Sequence, residues 1–281
     1  MWRGYLLGSI LFMMTSWQGM SQEIPNATTS SAWTLGYGQL HLLDEYLSPL
    51  VYTGSVFRAD YHSMHYMSLQ TTHVSLDWTL SASIGLEHNP AETNSIFYCA
   101  LQPGVGVHYH FRPAPNLKIL VGGIWDIFFA NKYSFENGNN PYSADLSTRL
   151  NASAIAQYDW HIGRLPVVLR YSLTVPTLGL MFVPQYGASY YEMFTLGNMA
   201  HTIHFTTFNN YLAMNNALSA DFILRRWTLR AAYYYDYDKH NANSLHFETM
   251  ESVFSIGAVV NFAVFDHGKR KVPSNYHDIN Q

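Results

Sequence analysis

The stretch His73-Val74-Ser75-Leu76-Asp77-Trp78-Thr79-Leu80-Ser81-Ala82-Ser83-Ile84-Gly85-Leu86-Glu87 alternates without a break. Its even positions, Val74, Leu76, Trp78, Leu80, Ala82, Ile84 and Leu86, are apolar, and its odd positions are all polar or small. Side chains in a β-strand point to opposite faces in turn, so this is a strand with one dry face and one polar face. Its length exceeds the roughly 5 or 6 residues of a globular strand and passes the 9 to 11 or so that cross a membrane obliquely.

The split recurs along the chain. Leu150, Ala152, Ala154, Ala156, Tyr158, Trp160 and Ile162 oppose Arg149, Asn151, Ser153, Ile155, Gln157, Asp159 and His161. Leu117, Ile119, Val121, Trp125, Ile127 and Phe129 oppose Lys118 and Asp126, and the run from Trp227 to Tyr237 divides in the same way. Trp and Tyr toward strand ends are what the two interfacial girdles of an outer-membrane barrel require. A soluble sandwich is the competing fold; it would bury the apolar face and put the charge outside.

Composition supports the barrel. Of 281 residues, 48% are hydrophobic and 16% aromatic, but only 12% are charged, about half the roughly 25% of an ordinary soluble domain. A net charge of −4 with scattered Lys and Arg excludes a nucleic-acid binder, which needs a basic face. The aromatic content excludes disorder. The single cysteine, Cys99, forms no intramolecular disulfide and no cysteine metal site.

Residues 1–21 read as a secretory signal: Arg3, an apolar stretch from Tyr5 to Met14, and a small-x-small site at Gly19-Met20-Ser21. Ten or so apolar residues are too few to span about 30 Å as a helix. No later window holds 18 consecutive apolar residues, and no cysteine follows the cleavage site to carry a lipid. The domain order expected is a signal peptide at 1–21, a periplasmic spacer at 22–32, an outer-membrane barrel at 33–265 and a polar periplasmic tail at 266–281.

The fold class is therefore all-β, an antiparallel transmembrane barrel with short periplasmic turns and long external loops. Tight turns are expected at Arg112 to Asn116, Gly163 to Pro166 and Arg225-Arg226, alternating with longer connections at Leu43 to Thr53, His88 to Ser95, Asn131 to Asp145, Pro176 to about Asn215 and Asp238 to Leu245. Ten strands result, with twelve as the alternative if His201 to Tyr211 and the preceding loop hide two more. Pro103 falls inside the fourth strand, where a bulge or kink is expected. The pattern Ser255-x-Gly257-x-x-Val260-x-Phe262 is similar to the C-terminal signal read by barrel-assembly machinery, although nineteen residues follow it, including Lys269-Arg270-Lys271.

Turned inward, the polar faces place His73, Asp77, His108, His110, Lys118, Asp126, Arg149, Asp159, Arg170 and Arg230 in a lumen network, with Arg58, Asp60, His62, Glu87, His161, Asp221, Asp236 and Glu251. A barrel this narrow is filled by side chains, so a plugged scaffold of paired charges is expected, with an open pore as the alternative. Of the close histidine pairs His62/His65, His108/His110 and His201/His204, His108 and His110 stand about 7 Å apart on one strand face, wide for one ion though within reach of long rotamers, and His201-x-x-His204 has no companion carboxylate at a recognised spacing; all read as lumen or interfacial histidines, and no metal and no cofactor is expected. His73, Ser75 and Asp77 lie on one strand, whereas a triad draws its members from separated elements; a non-enzymatic role is expected.

The loop from Pro176 to Asn198 punctuates an aromatic series with glycine and proline. A loop this long is folded over the barrel mouth. Tyr186, Tyr190, Tyr191, Phe194 and Glu192, with Asp44 and Tyr46 of the first external loop beside them, are the candidate ligand-binding residues for an extracellular glycan or protein. A cap packing its own rings is the alternative.

The segments Leu43-Asp44-x-Tyr46-Leu47-Ser48-Pro49-Leu50-x-Tyr52-x-Gly54 (after Tyr37-Gly38), Phe111-Arg112-Pro113, Gly138-Asn139-Asn140-Pro141 and Pro184-x-Tyr186-Gly187-x-Ser189-Tyr190-Tyr191-Glu192-x-Phe194 resemble the domain-of-unknown-function 3316 family of bacteroidete outer-membrane proteins. The resemblance spans residues 33 to 264 and implies location and fold, not activity. The expected function is a surface scaffold or binding module in the cell outer membrane, in contact with outer-membrane lipids and, during biogenesis, the assembly machinery. A small porin and a lipid-modifying hydrolase or transferase are the alternatives.

Overall fold

The computed structural model describes residues 29–67, 73–138, 140–224 and 227–262. The signal segment, the Arg225-Arg226 turn and the basic tail lie outside the described residues. The strands are β1 (Thr29–Asp44), β2 (Ser48–Tyr66), β3 (Val74–His88), β4 (Ser95–Ala114), β5 (Leu117–Ser134), β6 (Tyr142–Ile162), β7 (Leu165–Phe182), β8 (Ile203–Thr206), β9 (Tyr211–Ile223), β10 (Thr228–Ala242) and β11 (Leu245–Phe262), and a short helix, α1 (Tyr190–Phe194), follows β7. Neighbours pair antiparallel, and β1 closes on β11 from Thr29↔Phe262 to Asp44↔Phe247. The last expected strand, ending its pattern at Phe262, is thus the closing strand.

The ring has ten places. β9 pairs with β7 from Val167↔Phe222 to Thr174↔Asn215, and β8 continues along the same edge from Gly179↔Thr206 to Phe182↔Ile203. β8 and β9 are one strand interrupted by a turn at 207–210. Asn210 holds that turn: its side chain donates to the Phe205 carbonyl at 2.8 Å, and its own carbonyl accepts from Asn241 of β10 at 3.1 Å. The region that could have supplied two strands supplies one short piece of an existing one.

Burial is inverted relative to a soluble protein. Outward-facing Leu35, Phe57, Phe254 and Ile256 are 61 to 76% exposed, while inward-facing Asp77, Glu87 and Arg149 are 0 to 2% exposed. Only lipid can cover such an apolar exterior, and closure leaves no strand edge unpaired inside it. The protein is an outer-membrane β-barrel. Among the described residues no helix is long and apolar enough to cross a membrane.

Lipid supplies no hydrogen bonds, so polar tips on the outer face must find partners within the wall. They do so across adjacent strands: Tyr37 donates to Ser55 at 2.7 Å, Tyr171 to Asn216 at 2.8 Å, and the Trp125 indole to Thr148 at 2.8 Å. Exposed Trp33, Trp78, Trp160 and Trp227 lie toward the periplasmic ends of their strands. At the other end an outward Lys239–Glu248 pair at 3.5 Å marks where water replaces lipid.

The strands continue past that boundary, which alters two expected loops. The connections placed at Leu43 to Thr53 and Asp238 to Leu245 are tight hairpins, turning at Glu45 to Leu47 and at Asn243-Ser244, both of the latter with positive φ. The bulge expected at Pro103 is absent: the β4–β5 register is the same at Leu101↔Phe129 and Gly104↔Asp126. Pro103 faces outward and only interrupts the ladder. Gly257 is required by close approach, since a Cβ there would stand 1.8 Å from the Trp33 carbonyl oxygen.

A charge placed on the lipid face tests the membrane assignment. Phe254→Arg, about midway along β11 between the Trp33 level and Glu248, should destabilise the barrel in phospholipid vesicles by about 2–4 kcal/mol, measured by reversible denaturant unfolding.

Candidate functional site

Inside the barrel the fully buried ionisable groups balance: six cations (Arg58, Lys118, Lys132, Arg149, Arg170, Arg230) and six carboxylates (Asp44, Asp77, Glu87, Asp126, Asp221, Glu251) among the described residues. They are arranged in clusters at successive heights. Near the outer end, Lys132 stands 2.6 Å from both Asp44 and Asp145, over the Phe247 ring. Below it Arg149 forks onto Asp126 at 2.8 and 3.0 Å and reaches Tyr211 at 2.5 Å and Asp238 at 2.9 Å. Arg58 meets Asp60, Asp236 and Glu251 at 2.9, 2.5 and 3.1 Å. Arg230 forks onto Asp221 at 2.6 and 2.7 Å, and Arg170 donates to Gln157 at 3.2 Å.

Toward the periplasm a chain of serine and histidine side chains gathers around Asp77. Ser153 stands 2.9 Å from His108 Nε2, and His108 Nδ1 is bonded to Asp77, which also accepts from Ser75 at 3.3 Å. Ser75 in turn lies 2.8 Å from His110 Nε2. Members of a serine–histidine–aspartate order thus come from β6, β4 and β3, a convergence that the period-two reading of single strands did not reveal. All three are nearly fully buried, and a cluster of Met64, Tyr66, Leu120 and Ile155 packs in the same lower part of the barrel.

The remaining expected lumen residues divide. Lys118 is buried over the Tyr66 ring and Asp159 is half-buried. His73 is not in the lumen: it is exposed before β3, its ring stacked on Tyr109 at 5.9 Å. It precedes the strand's inward alternation, so sharing parity with Asp77 did not carry it inside. His161 is exposed for the matching reason at the end of β6. Among the described residues no group of three His, Cys, Asp or Glu could hold a metal ion.

The outer end is filled by apolar side chains. Leu40, Leu42, Leu47, Tyr52, Val56, Ile96, Tyr98 and Phe247 form one buried cluster, and Met181, Val183, Tyr211 and Leu245 a second. Over them lies the segment 183–202. Ser189 and Glu192 form a capping box that starts α1, with the Ser189 amide donating to Glu192 at 2.8 Å. Met193 of α1 is buried. The segment is tied to three hairpins. Tyr46 donates to the Ala188 carbonyl at 2.8 Å; the Tyr190 hydroxyl accepts from the Ala144 amide at 2.6 Å; and Asn243 donates to the carbonyls of Val183 and His201, each at 2.9 Å. Tyr190 packs edge-on against Tyr46 and Tyr142.

Of the seven candidate cap residues, four are therefore committed to structure: Asp44 to Lys132, Tyr46 and Tyr190 to fastening, and Glu192 to the helix start. Tyr186, Tyr191 and Phe194 are 76, 63 and 63% exposed. Burial, with the Asp44 and Glu192 carboxylates nearby, pushes the Tyr46 phenol up to about 12, and burial raises Tyr190 as well.

The family model described as Protein of unknown function (DUF3316) matches residues 5–270. The chain belongs to that family. No curated protein matches it. Among solved structures, this family member is similar to the transport unit of the autotransporter AIDA-I from Escherichia coli (TM-score 0.48, 8% identity, 93% of this chain and 98% of the other). It is also similar to the outer membrane protease OmpT from Escherichia coli (0.43, 6%, 86% and 100%) and to the translocator domain of the autotransporter NalP from Neisseria meningitidis (0.37, 8%, 91% and 95%).

Two outcomes follow from the geometry. Arg149→Leu removes the cation paired with buried Asp126 and with Asp238 and should cost about 3–5 kcal/mol in denaturant unfolding. Tyr46 has its folded value above the ordinary 10.0, so its contribution to cap attachment is complete below about pH 10 and is lost as pH rises through about 12. Near-ultraviolet circular dichroism of the tyrosine cluster, compared with Tyr46→Phe, should show the wild-type loss confined to that window.

Proposed function

We propose that this barrel is a closed, non-enzymatic scaffold that presents an aromatic cap at the cell surface as a binding face for a glycan or a partner protein. The observation that supports it is a division of labour among rings: Tyr46 and Tyr190 fasten the cap, leaving Tyr186, Tyr191 and Phe194 turned to solvent above a lumen filled by side chains. Rigid, half-apolar rings of this kind offer large contact area at small entropy cost. On this reading Ser255, Gly257, Val260 and Phe262 of β11 serve barrel assembly, and the Ser153–His108–Asp77 chain is structural.

A gated channel is the second reading. It is favoured by the unbroken run of charged groups from Asp77 up to Lys132, the lining a water path would use once the plug moved.

Single-channel recording in a planar bilayer separates the two. Protein lacking residues 1–21 should be silent, and should stay silent after deletion of residues 184–194, because the apolar cluster beneath the cap remains. Steady current from the intact protein overturns the closed scaffold, and current only after the deletion makes the segment a lid. A serine-reactive fluorophosphonate should leave Ser153 unlabelled; labelling that depends on His108 would establish an enzyme. Binding to glycan or envelope-protein arrays should be lost in Tyr186→Ala/Tyr191→Ala.

A further inference from the structure

The outward wall is not evenly bulky. Ala59 of β2 stands level with Ala82 of β3, and Cys99 follows on β4 two residues nearer the outer end, level with Ile84. These three short side chains form the floor of a groove of about 540 Å³ on the lipid face. Phe57 and Ile84 rise along one side of it, Leu101 and Phe129 along the other, and Leu35 closes its lower end. All five are exposed. Arg58 and Ser83, which border the groove, turn their side chains into the lumen toward Asp236 and Glu251, so the face it offers to the membrane is apolar.

The direction of the groove follows from the registers. The ladder that leaves β2 at Tyr66, followed through β3 and each later strand round the ring, returns to β2 at Gly54, nearer the outer end. Rows of paired residues therefore climb from β2 to β4, while the strands lean the other way. From Ala59 to Cys99 the floor crosses two strand spacings of about 4.8 Å and gains two residues of about 3.4 Å, which sets it at roughly 55° to the strands. Strands of such barrels tilt about 35–45°, so the floor runs within about 20° of the membrane normal, the direction in which lipid chains lie.

The geometry points to a site for one straight, saturated acyl chain of an outer-leaflet lipid, lying along Ala59, Ala82 and Cys99 between the two ridges. The groove is continuous with the lipid-covered wall: Leu35 lies below Leu43, the β1 residue level with Glu248 of the pair at the lipid boundary. A groove left unfilled there would forfeit the dispersion contacts its walls can make. Its upper end leads to polar groups. Asn131, level with Cys99, accepts from Tyr142, and His88 and Ser95, at the outer ends of β3 and β4, are bonded at 2.8 Å. The lipid head comes to rest at that end, and a cis double bond would lift the chain from the straight floor.

Photocrosslinking tests the site. The barrel is refolded into phosphatidylcholine vesicles doped with a phosphatidylcholine whose saturated chain carries a diazirine. Adducts in the peptides holding Ala59, Ala82 and Cys99 should exceed several-fold those at Leu178 and Leu229, exposed outward residues of β7 and β10. Added saturated lipid without the diazirine should compete for the groove better than its cis-unsaturated counterpart. Ala82→Phe fills the floor and should lower the groove adducts to the level at Leu178, with those at Leu229 unchanged. If Ala82→Phe does not fold, Cys99→Phe fills the upper end and should have the same effect. Adducts spread evenly over the outward wall overturn the site, as do groove adducts that survive in a folded filled variant, and equal competition by the two lipids overturns the preference for a straight chain. Disulfide-linked dimers through Cys99 under mild oxidation, in place of lipid adducts, would put a second copy of the chain in the groove and overturn the proposal as well.

Discussion

The whole structure depends on the narrowness of a ten-stranded ring whose exterior is lipid. Outside, every large side chain must be apolar and every hydroxyl must be bonded within the wall, as Tyr37 is to Ser55 and Tyr171 to Asn216. Inside, the polar positions of the same strands converge in a space that side chains alone nearly fill. Buried among them, Arg149 takes Asp126, Tyr211 and Asp238 as its partners. The plug is therefore not a separate domain; it is the consequence of closing an alternating sequence into a small barrel.

The same constraint explains what was legible from residues alone. Within the lipid zone the outward face must be apolar, so the contrast between faces is complete in β3 and broken only by Ile155 on the inward face of β6, and the inward charges follow from parity. Above Lys239–Glu248 the outward face meets water and the contrast vanishes, although the strands go on. Lys132, Asp145 and Asp238, three members of the outer ion-pair clusters, fall in that stretch and read as loop. Their role was invisible for a physical reason: period two reports a difference between environments, and there the environments no longer differ. His73 is the converse case, with the right parity but a place before its strand begins.

Convergence across strands was also beyond a linear reading. Ser153, His108 and Asp77 belong to three strands and meet only through registers such as Ser75↔His108 and Gly122↔Ser153. Their order imitates a hydrolytic triad. What separates such a chain from an active site is a carbonyl-sized space beside the nucleophile and donors for a developing oxyanion; all three residues here are nearly fully buried. The Ser75 and Ser153 hydroxyls partner one ring nitrogen each, of His110 and His108.

The cap repeats this logic in aqueous surroundings, where it has a different outcome. Polar and aromatic groups that fasten the segment are buried by it: Tyr190 loses solvent in accepting from Ala144, and Tyr46 in donating to Ala188. Glu192, the only charge of the aromatic series, is used by the helix start. The sequence cluster of seven candidates thus resolves into a frame and three solvent-facing rings, of which Phe194 also stacks on Tyr190. Those rings lie where water could have accommodated polar side chains at no cost in folding. Neither lipid contact nor the packing of the plug requires Tyr186 and Tyr191 to stand in solvent.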